Sequence, residues 1–186
     1  MTGRAAFAVV FVAGCGAHLG TAGGDDEQLA TPDAKVWRDG GADAPVDARP
    51  CMGGSKAQVA PDGSCFVFVS TPKTYVDAKA ACAAMTAHLV YLKSAALDAF
   101  AETFVGTTNT WIGLSDVATE GTFIWDDNTA LAYTNWGAGE PNNGGNMYQE
   151  DCGLLAGAKL DKGWDDRPCD PTEVPTSGSF AYLCQY

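Results

Sequence analysis

Residues 139–152 read GEPNNGGNMYQEDC. The stretch sets Glu140, Asn142, Asn143, Glu150 and Asp151 into one glycine-loosened run, with no apolar periodicity to fold it as a helix or a strand. Carboxylates and side-chain amides are hard oxygen donors, and an acidic surface of this kind suits divalent cations. Two further acidic groups stand elsewhere: Trp164-Asp165-Asp166, and Asp116 with Glu120 in LSDVATEG (114–121). No general base is set apart from these acids. No activated serine, Cys–His pair, phosphate-binding loop or histidine-rich motif is visible, so the chain is read as a binding module and not an enzyme. His88, one of two histidines, reads as a side chain packed beside a strand.

A chain of 186 residues with formal charge −12 has room for one domain with a proper core but not for two comfortable ones. Its acidity excludes nucleic acid, which needs a basic footprint, and disfavours electrostatic docking on anionic lipid. The first residues are MTGRAAFAVVFVAGC. Arg4 supplies a small basic region, and the apolar run from Ala5 to Ala13 is too short to span a bilayer, the pattern of a secretory signal. Val12-Ala13-Gly14-Cys15 resembles the lipobox of bacterial lipoproteins. That resemblance implies removal of residues 1–14, lipidation of Cys15, and, with Gly16 following, an exported protein anchored by lipid at the bacterial outer membrane or cell surface. Seven cysteines, an odd number, then make sense. With Cys15 lipidated, six remain for three disulfides in an oxidising compartment, and spacing alone does not choose the pairing. No CxxC is present, which argues against a zinc ribbon.

The elements that must position the acids begin after a spacer. Residues 15–50 are rich in Gly, Ala, Asp and Pro with almost no large apolar side chains, too little to offset the entropy of ordering, so they read as a flexible tether. Residues 51–186 form the folded part. CFVFVS (65–70) reads as a strand. Tyr75, Ala78, Ala81, Cys82 and Met85 fall at helical spacing, with Thr71 or Thr74 as the cap. HLVYLKS (88–94) reads as a strand, and Ser94 caps a second helix whose apolar face is Leu97, Phe100, Ala101 and Phe104. TWIGLSD (110–116), GTFIWDD (121–127) and SFAYLCQY (179–186) read as short β segments. The stretch 128–178 between the last two reads as one long irregular loop, a length that is usually functional.

The order of motifs carries a family. Ala78-x-x-x-Cys82 on a helix is followed by Trp111-Ile112-Gly113-Leu114, Trp125, Trp136, Glu140-Pro141-Asn142, Glu150-Asp151-Cys152, Trp164-Asp165-Asp166, Cys169 and Tyr182-Leu183-Cys184. Residues 51–186 thereby resemble the C-type lectin domain in its long form. The resemblance implies an α+β fold with two helices, small antiparallel sheets and a long loop region. It also implies the pairings Cys51–Cys65, Cys82–Cys184 and Cys152–Cys169, and a cis bond before Pro141. The four domain tryptophans read as core and loop-base packing rather than as sugar platforms.

Calcium takes six to eight hard oxygen ligands. By resemblance, Glu140, Asn142, Glu150, Asp165 and Asp166 hold a primary calcium on which two vicinal sugar hydroxyls sit, with Glu140, Asn142, Glu150 and Asp165 also facing the sugar. The acid–x–amide order of Glu140 and Asn142 is the family's mannose-type signature, implying mannose, glucose or fucose-type carbohydrate. Asp116, Glu120, Asn143 and Asp151 match an auxiliary calcium site. One departure stands out: the family has Trp-Asn-Asp where this chain has Trp164-Asp165-Asp166, and an ionised Asp165 cannot donate to a hydroxyl. The alternative partner is a surface protein, with calcium structural or absent.

Overall fold

The structure is a computed structural model that describes residues 50–146, 149–157, 163–170 and 178–186. The signal, Cys15 and the tether up to residue 49 lie outside the described residues. The elements run β1 (Lys56–Val59), β2 (Cys65–Lys73), α1 (Tyr75–Ala84), β3 (His88–Leu89), α2 (Ala95–Val105), β4 (Thr110–Ser115), β5 (Ile124–Trp125), β6 (Cys152–Leu155), β7 (Trp164–Arg167) and β8 (Phe180–Gln185). The strands form one sheet in the order β1-β2-β8-β4-β6-β7, with β3 added to β8 and β5 to β4. The sheet is mixed, because β4 and β8 run parallel, Thr110 against Ala181 and Trp111 against Tyr182. The other strand pairs described are antiparallel.

Each face of this sheet carries a helix. Phe66, Phe68, Ile112, Leu155 and Leu183 pack on one side with Leu97, Ala101 and Phe104 of α2. Their strand neighbours Val67, Trp111, Leu154, Tyr182 and Cys184 pack on the other with Tyr75, Ala78 and Cys82 of α1. Burial on both faces explains why CFVFV and TWIGL are continuous apolar runs rather than alternating ones. Both helix starts follow the sequence. Thr74 Oγ1 accepts the Asp77 amide at 3.1 Å, which settles the cap of α1, and Ser94 Oγ accepts the Leu97 amide at 3.3 Å. Such a cap contributes about 1 kcal/mol.

The three disulfides pair as the resemblance implies: Cys51–Cys65 closes the first hairpin, Cys82–Cys184 ties α1 to β8, and Cys152–Cys169 ties β6 to the segment after β7. Three expectations change. HLVYLKS is a strand only at His88 and Leu89, which pair with Gln185 and Cys184. Beyond them the chain crosses to β4, where the Gly113 amide donates to Val90 O at 2.9 Å. GTFIWDD forms a strand only at Ile124–Trp125, because Asn128 adopts a left-handed conformation (φ 64°) and turns the chain so that the Trp125 amide donates to Thr129 O. The stretch 128–178 is not one irregular loop: it contains β6 and β7, which complete the sheet beside β4.

Candidate metal centre

The site forms where the loop between β5 and β6 meets β7. The Glu140–Pro141 peptide is cis. Beyond it, the amides of Asn142 and Asn143 donate to the two carboxylate oxygens of Asp166 at 3.0 and 2.7 Å. Asn143, Gly144 and Gly145 then take left-handed conformations in succession, a curl that the two glycines adopt without a Cβ penalty. The curl brings the Gly144 amide onto Glu150 Oε2 at 2.6 Å, while Asn143 Oδ1 accepts the Glu150 amide at 2.7 Å. One loop is thus stitched to β7 through Asp166 and to the entry of β6 through Glu150.

Glu140, Asp165 and Asp166 each bring a carboxylate oxygen within 4.8 Å of the others, and Asp165 and Asp166 are only 1% exposed. The side chain of Asn142 lies against Glu140, its Nδ2 donating to Oε2. Glu150 stands slightly apart from that trio: its Oε1 accepts from Arg167 Nη1 at 3.2 Å. Arg167 also pairs with Asp165, Nη2 to Oδ2 at 2.5 Å. Residues 165 and 167 share a strand face because side chains alternate along β7. The local charge is four carboxylates against one guanidinium. Buried anions in such excess are costly without a counter-charge, and oxygen-only donors suit a hard divalent ion, so the residues present fit calcium.

The auxiliary group behaves similarly. Asp116 is buried, with Oδ2 accepting the Gly121 amide at 2.8 Å and Oδ1 meeting no hydrogen-bond partner. Asp151 Oδ1 is likewise buried without one. Burial, then the charges of Glu120 and Asp151, raise the Asp116 carboxyl above its ordinary range. Burial, then Asp166, does the same to Asp151. Glu120 Oε1 accepts from Asn143 Nδ2 at 2.8 Å, which links this group to the primary one. Asp116 is buried, whereas Glu120 is exposed.

Sequence reasoning missed two residues. Arg167 is one, and no sequence signal marked it, because its place two residues after Asp165 means a shared face only once the segment is a strand. The other is Asp98 of α2, only 2% exposed. It accepts from Tyr133 Oη at 3.0 Å, Asn135 Nδ2 at 2.6 Å and Trp164 Nε1 at 2.8 Å. Asp98 falls inside the apolar stripe of α2, beside Leu97 and three before Ala101, and an acid in such a stripe is the signal. It clamps the loop base to the residue preceding Asp165. Trp164 packs edge-on against Trp125, Tyr133 and Trp136, so these tryptophans pack at the loop base, and Trp111 is fully buried.

Comparison with known proteins agrees with this geometry. The family model for the lectin C-type domain matches residues 71–185. The low affinity immunoglobulin epsilon Fc receptor of Mus musculus is 35% identical over 105 residues, 56% of this chain and 30% of that protein. The alpha-N-acetylgalactosamine-specific lectin of Patiria pectinifera is 36% identical over 136 residues, 67% of this chain and 74% of that protein. This chain thus spans less than a third of the first relative and about three quarters of the second. Among solved structures, the cow C-type carbohydrate-recognition domain of CD23, determined in the presence of GlcNAc2Man3 oligosaccharide, superposes with a TM-score of 0.59 at 29% identity, covering 73% of this chain and 95% of that one. The strand order, the bridges and the match over residues 71–185 lead to one conclusion: the chain belongs to the C-type lectin domain family, whose members bind ligands and are not enzymes.

Proposed function

We propose that the domain binds carbohydrate through calcium held by Glu140, Asn142, Glu150, Asp165 and Asp166, and that it does so on an exported protein anchored through Cys15. The single observation carrying this reading is the convergence of Glu140, Asp165 and Asp166 within 4.8 Å beside Asn142. Calcium bound there would offer coordination positions to two vicinal hydroxyls. Around it, the Glu140 carboxylate accepts from a hydroxyl and Asn142 Nδ2 donates to one. The pair fixes hydroxyl stereochemistry because the two groups sit on either side of Pro141 with opposite hydrogen-bonding roles. Asp98 and Trp164 hold β7 against the loop base so that this geometry is formed before ligand arrives.

One relative is named for alpha-N-acetylgalactosamine, and one solved neighbour was determined in the presence of GlcNAc2Man3 oligosaccharide, so sugar preference is taken from this chain's own Glu140–Asn142 order, which favours mannose-, glucose- or fucose-type ligands. A glycan array probed with the purified protein in calcium and again in EDTA tests the reading. Signal on such sugars that disappears in EDTA is expected. The anchor is tested separately by labelling cells with a radioactive fatty acid, where label absent from the Cys15→Ala protein is the expected result.

A second reading is favoured by Arg167, which already supplies a cation to Glu150 and Asp165. Under it the domain is an adhesin for a surface protein, with calcium structural or absent. An array blank in both conditions, with melting unaffected or modestly raised by calcium, is its outcome.

A further inference from the structure

The site has one chemical gap, at position 165. A neutral amide there would give a metal its carbonyl oxygen and a ligand its N–H, whereas an ionised aspartate only accepts. The structure sets Arg167 over this gap. Its guanidinium pairs with Asp165 Oδ2 at 2.5 Å and with Glu150 Oε1 at 3.2 Å. The Arg167 side chain stays 29% exposed while the Asp165 carboxylate beneath is 1% exposed, so the cation lies on the solvent side of the acid. The guanidinium carries five N–H donors in a rigid fork, of which the hydrogen bond to Glu150 uses one.

We propose that Arg167 is a specificity-determining residue, a donor to ligand hydroxyl oxygens that replaces the amide absent at 165 and cancels the charge Asp165 adds. The two jobs of one amide are divided between two residues on one face of β7, with the same net charge. A pair to a buried carboxylate loses most of its Coulomb gain to desolvation and is weak evidence for stability, so the pair's value lies in placing donors at the rim. The ligand class follows from the charge count. Four carboxylates against one guanidinium and a divalent ion leave the site net negative, so neutral vicinal diols are favoured over sugars that carry a carboxylate.

This inference rests on the calcium-and-sugar reading above, and its test separates the two. The full protein and its Arg167→Met, Arg167→Lys, Asp165→Asn and Asp165→Asn/Arg167→Met variants are titrated with calcium by calorimetry, then with methyl α-mannoside at saturating calcium. Arg167→Met keeps the apolar stem and loses charge and donors. It is expected to bind calcium at least threefold more tightly and the mannoside about tenfold more weakly, the loss of one charge-assisted hydrogen bond. The double variant, with an amide back at 165, is expected to regain most of the mannoside affinity. Arg167→Lys cannot fork and is expected to lose at least threefold, which keeps the test open if the methionine variant folds poorly. Wild-type mannoside affinity in Arg167→Met or Arg167→Lys overturns the role of Arg167 and leaves the site reading intact. Mannoside binding by the double variant but not by the natural protein also overturns it. No mannoside binding by any of the five, with calcium bound, removes the sugar reading and this inference together.

Discussion

Single residues decide how firmly the site is held. Asp98 is a buried carboxylate with three donors around it, and the Trp164 indole is one of them. Trp164→Phe keeps the edge-on ring packing and removes that donor. It is expected to lower unfolding free energy by about 1–3 kcal/mol, read from urea denaturation, with the calcium requirement of any ligand rising in parallel. Gly113 shows the opposite kind of constraint. A Cβ there would stand 2.8 Å from Leu89 O and 2.7 Å from Tyr91 Cε1. Gly113→Ala should therefore cost about 1–3 kcal/mol by overpacking, and an unchanged denaturation midpoint would refute that close approach. The sequence announced Gly113, because its motif is contiguous. It did not announce the partners of Asp98, because Tyr133, Asn135 and Trp164 reach it from positions 35 or more residues away.

Among elements, the helices were legible and three strands, β1, β6 and β7, were not. A cap and an apolar stripe are local signals, so α1 and α2 fall close to where spacing predicts. β7 carries two buried acids in four residues, WDDR, and such a segment reads as loop. It becomes a strand only because β6 pairs with it and the amides of Asn142 and Asn143 donate to Asp166. The Cys152–Cys169 bridge, with a separation of 17 residues, fastens β6 to the segment after β7. Replacing both cysteines by alanine is expected to remove about 3 kcal/mol and to loosen calcium binding. Loss of stability with unchanged calcium affinity would show that the bridge does not organise the site. The loop base can also be followed by its tyrosines. Burial, then Asp98, pushes Tyr133 up to about 12, and burial, then Asp126, pushes Tyr91 up to about 12. Both phenols keep their protons where unfolded ones, near 10, have lost them. Their contribution to stability is therefore present below pH about 10 and lost as pH rises toward 12. Alkaline titration of phenolate absorbance should show these two ionising late, and denaturant should abolish the delay.

For the whole molecule, an excess of acid is the dominant fact. Formal charge is −12, and the candidate centre gathers part of it where Glu140, Asp165 and Asp166 bring carboxylate oxygens within 4.8 Å of one another. Calcium at a hundredfold over its dissociation constant is expected to add about 2.7 kcal/mol, seen as a rise in melting temperature that EDTA reverses. No rise at millimolar calcium would exclude the centre. The overall fold was legible because its motifs are spread over the whole domain in a fixed order. The charge balance at the centre was not, since Arg167 acquires meaning only once β7 is a strand. One feature of the covalent framework reaches further. Cys82–Cys184 closes a ring of chain that contains every candidate ligand from Asp116 to Asp166. Suppose the protein is held at residue 50 while something grips the centre and pulls. The tension reaches the ring through Cys51–Cys65 and the segment to Cys82, then divides between two arms, one running forward from Cys82 and one backward from Cys184. Neither arm bears the full load, and Cys152–Cys169 rungs the two sides together. The domain is wired as a shackle, and a thiol reductant would convert it into a single line that unravels from one end.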